Sequence, residues 1–92
     1  MRLIIKLLRP FSKIVGKSEL SINFTGDTLD NLIEELINRY PQLKTEFYTK
    51  NDELTDLICI FVNDKPISAL KGINTNLKNN DNVLFFIPLS GG

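Results

Sequence analysis

Val83-Leu84-Phe85-Phe86-Ile87-Pro88-Leu89-Ser90-Gly91-Gly92 closes the chain, and the rest of the sequence is understood most easily from it. An apolar run of strand type, Val83 to Ile87, passes through a proline into small residues and stops at two glycines and a free carboxylate. Glycine lacks a Cβ and reaches backbone conformations that other residues avoid. Two in succession make a thin thread whose last carbonyl carbon is unshielded. Such a thread suits a narrow active site in which the carboxyl group is chemically activated. A frayed terminus is the plainer explanation, because chain ends are commonly poorly ordered. At about 7% glycine, a Gly-Gly end arises by chance in roughly one chain in two hundred. The strand directly before it strengthens the chemical reading, since a rigid body then aims the glycines. Residues 1–88 are therefore expected to form one domain and 89–92 a flexible C-terminal tail.

The totals narrow the function. Ninety-two residues, 42% of them hydrophobic, supply one domain with one core. A chain of this size buries roughly 60–65% of its extended surface. Eleven basic and eleven acidic residues cancel, so overall charge does not suggest a nucleic-acid partner. No stretch is long enough to span a membrane. The opening run Met1 to Pro10 is interrupted by Lys6 and precedes no small-residue cleavage site, so it is expected to be a first strand and not a signal peptide. The single cysteine, Cys59, excludes an internal disulfide framework and fits a reducing cytoplasm. With no histidine, a histidine-based triad or a histidine metal site is impossible. No P-loop or dinucleotide-binding glycine pattern occurs. Any chemistry is expected to use this chain as substrate or carrier.

Arg2 to Leu8 reads as a strand, with Leu3, Ile5 and Leu7 on one face and Ile4, Lys6 and Leu8 on the other. Apolar character on both faces predicts a central place in the sheet. Arg9 to Ser18 reads as a turn region from which Phe11, Ile14 and Val15 fold back onto the core. Glu19 to Phe24 alternates strictly between polar and apolar residues, and it predicts a half-buried strand paired with the first. Thr28 is a credible N-cap. Leu29, Leu32, Ile33, Leu36, Ile37 and Tyr40 recur at helical spacing, and Pro41 ends the helix. Its carboxylates read as a solvated face and not as an acid/base pair. Gln42 to Asp56 has no clear period and reads as a loop with room for a short helical turn, Phe47 and Tyr48 tucked beneath it. Leu57 to Val62 is a fully apolar strand, in which Cys59 reads as a small core residue. Asn63-Asp64 suits a two-residue hairpin turn. Lys65 to Ser68 would be a short return strand at a sheet edge, because Pro66 cannot donate to a ladder. Ile73 and Leu77 anchor the turn-rich segment before the last strand.

The predicted order, β-β-α-β-β-β, is an α+β fold with one mixed sheet covered on one face by one main helix. Together with the Gly-Gly end it resembles the ubiquitin-like β-grasp sulfur carriers of the MoaD/ThiS superfamily, over nearly the whole chain. Within them it is most similar to the MoaD family, the small subunits of molybdopterin synthase. The resemblance rests on the capped helix closing at Tyr40-Pro41, the asparagine turn Val62-Asn63-Asp64 and the passage from Leu77 to Phe86. Its most specific part is Phe85-Phe86-Ile87-Pro88-Leu89-Ser90-Gly91-Gly92, similar to a Phe-Phe-x-Pro-x-x-Gly-Gly ending. Asn79-Asn80 stands where Asp-Gly is usual, a geometry that asparagine tolerates. The Gln42–Asp56 loop is longer than is typical.

The resemblance implies a carrier without catalytic side chains or bound cofactor of its own. An E1-like enzyme of the MoeB type would use ATP to adenylate Gly92, and sulfur would then convert the adenylate to a thiocarboxylate. The end of the chain, with Ser90 and Gly91 leading to Gly92, would insert into a large synthase subunit of the MoaE type, within a heterotetramer. There it would give up sulfur for the molybdenum or tungsten cofactor. If Val83, Phe85 and Ile87 face the helix, alternation turns Leu84, Phe86 and Pro88 outward as a docking patch. Leu8 would extend the patch, Leu89 would continue it, and Ile67 is a weaker candidate. A ubiquitin-like protein modifier or tRNA-thiolation carrier, conjugated through Gly92, would share the fold and the activation step. A plain β-grasp interaction module would share the fold alone.

Overall fold

Five strands form one mixed sheet in the computed structural model, which describes residues 1–88. They are β1 (Arg2–Leu7), β2 (Glu19–Asn23), β3 (Cys59–Val62), β4 (Lys65–Pro66) and β5 (Asn82–Phe86), in the spatial order β2-β1-β5-β3-β4. β5 lies in the middle, parallel to β1 and antiparallel to β3. The last strand does therefore join the first at the centre of the sheet. This is the ubiquitin-like β-grasp expected from the sequence. The proposed tail, Leu89, Ser90, Gly91 and Gly92, lies outside the described residues.

One face of the sheet is covered by α2 (Leu29–Arg39). Its N-terminus is closed by a reciprocal cap. Thr28 Oγ1 accepts from the Asn31 amide at 3.3 Å, and Asn31 Oδ1 accepts from the Thr28 amide at 3.2 Å. Two otherwise orphaned donors are satisfied in this way. The helix stops at Tyr40 because Pro41 has no amide to continue the ladder and instead opens a 3-10 turn, Pro41–Leu43. Leu29, Leu32, Ile33 and Leu36 are fully buried, each contributing on the order of 1.5–3 kcal/mol of burial. Glu35 and Arg39 pair on the outer side at 2.9 Å, as the spacing allows. Just upstream, the turn at Gly26 runs so close to Phe24 and Asn31 that an added Cβ would lie 2.6 and 2.7 Å from their side chains.

One short helix goes beyond the sequence reading, and a second fills the loop that had room for a short helical turn. The Arg9–Ser18 segment is more than a turn. It holds α1 (Phe11–Val15), ended by Gly16 at φ 84° in the left-handed conformation that glycine adopts freely. The Gln42–Asp56 loop holds the 3-10 turn and α3 (Lys44–Phe47), followed by a small hairpin-like return in which Tyr48 bridges Leu54. Each helix delivers one aromatic to the core. Phe11 and Phe47 are fully buried with Phe85 of β5, at ring separations of 5.0, 6.2 and 5.4 Å. Such tilted and edge-to-face contacts add to the burial of the rings themselves.

The asparagine-rich turn fixes where β5 begins. Asn63 and Asp64 make the two-residue hairpin between β3 and β4 with φ of 50° and 69°. Asn63 Nδ2 donates to Asp81 Oδ1 at 2.8 Å, and Asn63 Oδ1 accepts from the Asn82 amide at 2.9 Å. Asp81 Oδ2 accepts from the Lys78 amide at 2.8 Å. On the other side Asn79 Oδ1 accepts from the Arg2 amide at 2.7 Å, and Asn80 sits at φ 70°, so asparagine does supply the left-handed residue here. β5 is thus clamped at its start to both neighbours. The return strand is shorter than the expected 65–68. Pro66 ends β4, and Ile67–Ala69 forms a 3-10 turn.

Candidate functional site

Among the described residues, no helix covers the second face of the sheet. Alternation on β5 places Val83 and Phe85 at 0% exposure against the helices, and Leu84 and Phe86 half-buried on the open side. The register builds the surroundings. Leu84 stands between Lys6 of β1 and Phe61 of β3, and Phe86 stands opposite Cys59. Phe61 and Phe86 are diagonal neighbours whose rings stack at 6.1 Å with an interplanar angle of 14°. Leu8 follows β1 directly, donates its amide to the Phe85 carbonyl at 3.0 Å and is 51% exposed. The open face is therefore an apolar strip, aromatic at its centre, that runs along β5 toward exposed Pro88, where the described residues end.

Of the residues singled out from the sequence, the structure brings Leu8, Leu84, Phe86 and Pro88 to this face and end of the sheet. Ile67 is placed differently. It packs against the core cluster from the 3-10 turn after β4, and shares a shallow depression with Cys59, Phe61 and Pro66 at the sheet edge. Leu89, Ser90, Gly91 and Gly92 lie outside the described residues. Cys59 is not a core residue. Ile60 and Val62 take the buried positions of β3, and the alternation turns Cys59 and Phe61 to the open face, both half-buried. Phe61 belongs to the strip and was missed. The signal that could have found it is its two-residue offset from Cys59 in a strand adjoining β5. The continuous apolar run Leu57–Val62 concealed which set faces outward.

Charge is distributed unevenly behind the neutral total. Residues 27–56, which hold α2, α3 and their loops, contain eight acidic and three basic side chains, a formal charge of −5. The remainder holds three acidic and eight basic side chains, a formal charge of +5. Lys6 lies within the apolar strip, with Glu19 of β2 opposite it. A depression of about 310 Å³ opens beside Lys6, Asp64 and Leu84 at the end of the sheet remote from Pro88. On the helix side, the Tyr48 phenol is held above the ordinary tyrosine range, first by burial and then by the Asp30 and Glu34 carboxylates. It is neutral near pH 7. Among the described residues, no group of three or more Asp, Glu, Cys or His side chains is placed to hold a metal ion, and no helix is long and apolar enough to cross a membrane.

Comparison with known proteins agrees with this geometry. The model of the ThiS family matches residues 5–92. Small archaeal modifier protein 1 (SAMP1) of Methanosarcina acetivorans is 30% identical, with a TM-score of 0.86 over 99% of this chain and 96% of that one. SAMP1 of Haloferax volcanii is 22% identical, with a TM-score of 0.86 over the full length of both chains. A putative molybdopterin converting factor subunit 1 from Pyrococcus furiosus is 24% identical, with a TM-score of 0.74 over 97% of this chain and 99% of that one. No curated protein matches the sequence.

Proposed function

Because the chain belongs to the ThiS family, small ubiquitin-like sulfur carriers that are not themselves catalytic, we propose that it carries sulfur as a thiocarboxylate on Gly92. In the fuller form of this reading it is the small subunit of a molybdopterin synthase, working in the cytoplasm for molybdenum or tungsten cofactor synthesis. The observation that carries the reading is the apolar strip of β5. Leu84 and Phe86 stay half-buried on a face that no helix of the described residues covers, and the strip leads toward Pro88, which the sequence continues into Gly91-Gly92. An exposed apolar surface rooted in a rigid strand marks a protein interface. Here it would dock the chain while its last residues enter a partner's active site.

The chemistry follows from the carboxylate. A carboxylate is a poor electrophile, so the Gly92 oxygen first attacks the α-phosphorus of ATP on an E1-like enzyme, and pyrophosphate leaves. A persulfide then attacks the acyl carbon and expels AMP. A thiol cleaves the resulting acyl disulfide, leaving the thiocarboxylate on Gly92 and a disulfide on the donor side. In a large synthase subunit of the MoaE type the thiocarboxylate would surrender its sulfur, and water would restore the carboxylate. The side chains of this protein do not act on the reacting atoms. They hold the strand, present the strip and orient the exit.

A second reading has its own support. The relative with 30% identity bears the name of a protein modifier, and conjugation through Gly92 to lysines would need the same adenylate. Intact mass spectrometry of the protein from its own cells separates the two. Sulfur in place of one oxygen, mapped to Gly92, is the result expected of the carrier. Isopeptide conjugates through Gly92 would favour the modifier. A C-terminus still unmodified after incubation with the host's E1-like enzyme, ATP and a sulfur donor would leave only a β-grasp interaction module.

A further inference from the structure

The end of the sheet at which β5 finishes is framed by the β1–β2 connection. β1 and β5 are parallel and finish side by side. The Leu8 amide donates to the Phe85 carbonyl at 3.0 Å, and the Ile87 amide donates to the Arg9 carbonyl at 3.2 Å. Residues 8–18 therefore sit at the root of the C-terminal segment. They contain Arg9, Lys13 and Lys17 and no acidic residue. The connection is not a loose loop. Phe11 is locked between Phe47 and Phe85, the Ser12 amide donates to the Leu8 carbonyl at 3.0 Å, and the Gly16 amide donates to the Ser12 carbonyl at 2.8 Å. The three cationic residues are all exposed. Among the described residues the ion pair formed is Arg39 with Glu35, and Glu19, the acid next in sequence, stands opposite Lys6. Among the described residues, none of these three cations on an ordered frame has an ion-pair partner.

We propose that Arg9, Lys13 and Lys17 form a basic collar that docks on a carboxylate-rimmed surface around the mouth of the activating enzyme's site. This rests on the reading that Gly92 is adenylated by such an enzyme. The physical need is plain. The incoming chain end is an anion and must approach bound ATP, which is also anionic. Cations fixed at the root of that chain end, meeting carboxylates at the rim of the partner, favour the encounter and set its orientation. Rim charges of this kind act on association and its salt dependence more than on the chemical step. The collar also adjoins the apolar strip, since Leu8 belongs to both. The strip would supply contact energy and the collar the steering. A ring of carboxylates beside an apolar seat is accordingly the partner surface that fits this end of the protein.

The test is ATP–pyrophosphate exchange catalysed by the host's E1-like enzyme, measured against carrier concentration at low and high salt. Arg9→Glu/Lys13→Glu/Lys17→Glu is compared with Lys65→Glu/Lys71→Glu/Lys78→Glu, which makes the same charge change elsewhere on the surface. Circular dichroism and the melting midpoint verify folding. The single variants Lys13→Glu and Lys17→Glu serve in its place if the collar triple does not fold. We expect the collar triple to raise KM about tenfold at low salt and to lose most of the salt dependence, with kcat unchanged. The control triple should leave KM within about twofold. An unchanged KM in the folded collar triple overturns the proposal, as does an equal effect in the control. A lower kcat at unchanged KM overturns it too, by assigning these cations to the nucleotide phosphates. Wild-type protein that is not activated at all overturns both this proposal and the reading beneath it, whereas normal activation with an unaffected KM overturns the collar alone.

Discussion

The two faces of β5 are made of nearly the same residue types and have opposite fates. Val83 and Phe85 on one side are sealed under α2, Phe11 and Phe47; Leu84 and Phe86 on the other stay half-buried, with Phe61 as an aromatic neighbour. The difference lies not in hydrophobicity but in what the rest of the chain provides. Every helix of the described residues whose side chains enter the core does so from one side, so among those residues no helix lies above the second apolar face. A strand that spends large aromatics on an uncovered face stabilises itself less than it could. That cost is understandable if the face is completed by another protein.

The comparison breaks most sharply at Phe85. Truncating it to alanine removes the ring on which both Phe11 and Phe47 pack. The expected loss is about 3–5 kcal/mol, a large share of the ~5–15 kcal/mol that holds a domain together. Phe86→Ala should cost less, about 0.5–1.5 kcal/mol for the stacked pair with Phe61 on top of the burial of a half-exposed ring. Urea unfolding of the two variants side by side measures the gap. Equal losses would mean that the faces are not distinct.

How much of this can be read from the chain differs between the two faces. The covered face is largely legible, because α2 has a full apolar stripe, a capping threonine and a terminating proline, and because β2 alternates cleanly. The Phe11 and Phe47 anchors are harder. Each comes from a helix of four or five residues, too short for periodicity to stand out. Both reach inward as their types suggest, but nothing in the sequence joins them into one cluster with Phe85. On the open face, alternation in β5 suffices for Leu84 and Phe86. It fails for Cys59 and Phe61, since Leu57–Val62 is apolar throughout and a run of that kind does not show which residues lie outside. Strand order decides that, and strand order is set by long-range pairing. The separation of charge between residues 27–56 and the rest is equally invisible in a net total of zero.

The open face itself is tested by Phe86→Asp. A carboxylate at the centre of the strip should leave folding nearly intact, because the position is half-buried and water can reach it. A partner's apolar surface would have to bury that charge. Affinity for the activating enzyme, or for the large synthase subunit, should fall by at least about 2 kcal/mol, roughly thirtyfold. Titration calorimetry with each partner gives the answer. Unchanged binding of a well-folded variant to both would remove the strip from the interface.

The smallest effect is the most discriminating, because it perturbs the covered face while leaving the open one untouched. Thr28→Ala deletes the hydroxyl that accepts from the Asn31 amide at 3.3 Å. The Asn31 side chain keeps its own bonds to the amides of Asp27 and Thr28, so half of the capping box survives. The first turn of α2 frays, and the cover that Leu29 provides loosens with it. The cost should be about 1 kcal/mol, a drop of about 4–8 °C in the melting midpoint of a domain this size. Because α2 lies across the sheet from Leu84 and Phe86, partner affinity should stay within about twofold of the wild type. If affinity fell in step with stability, the open face would depend on the helix beneath it, and the two sides of β5 would be one cooperative surface.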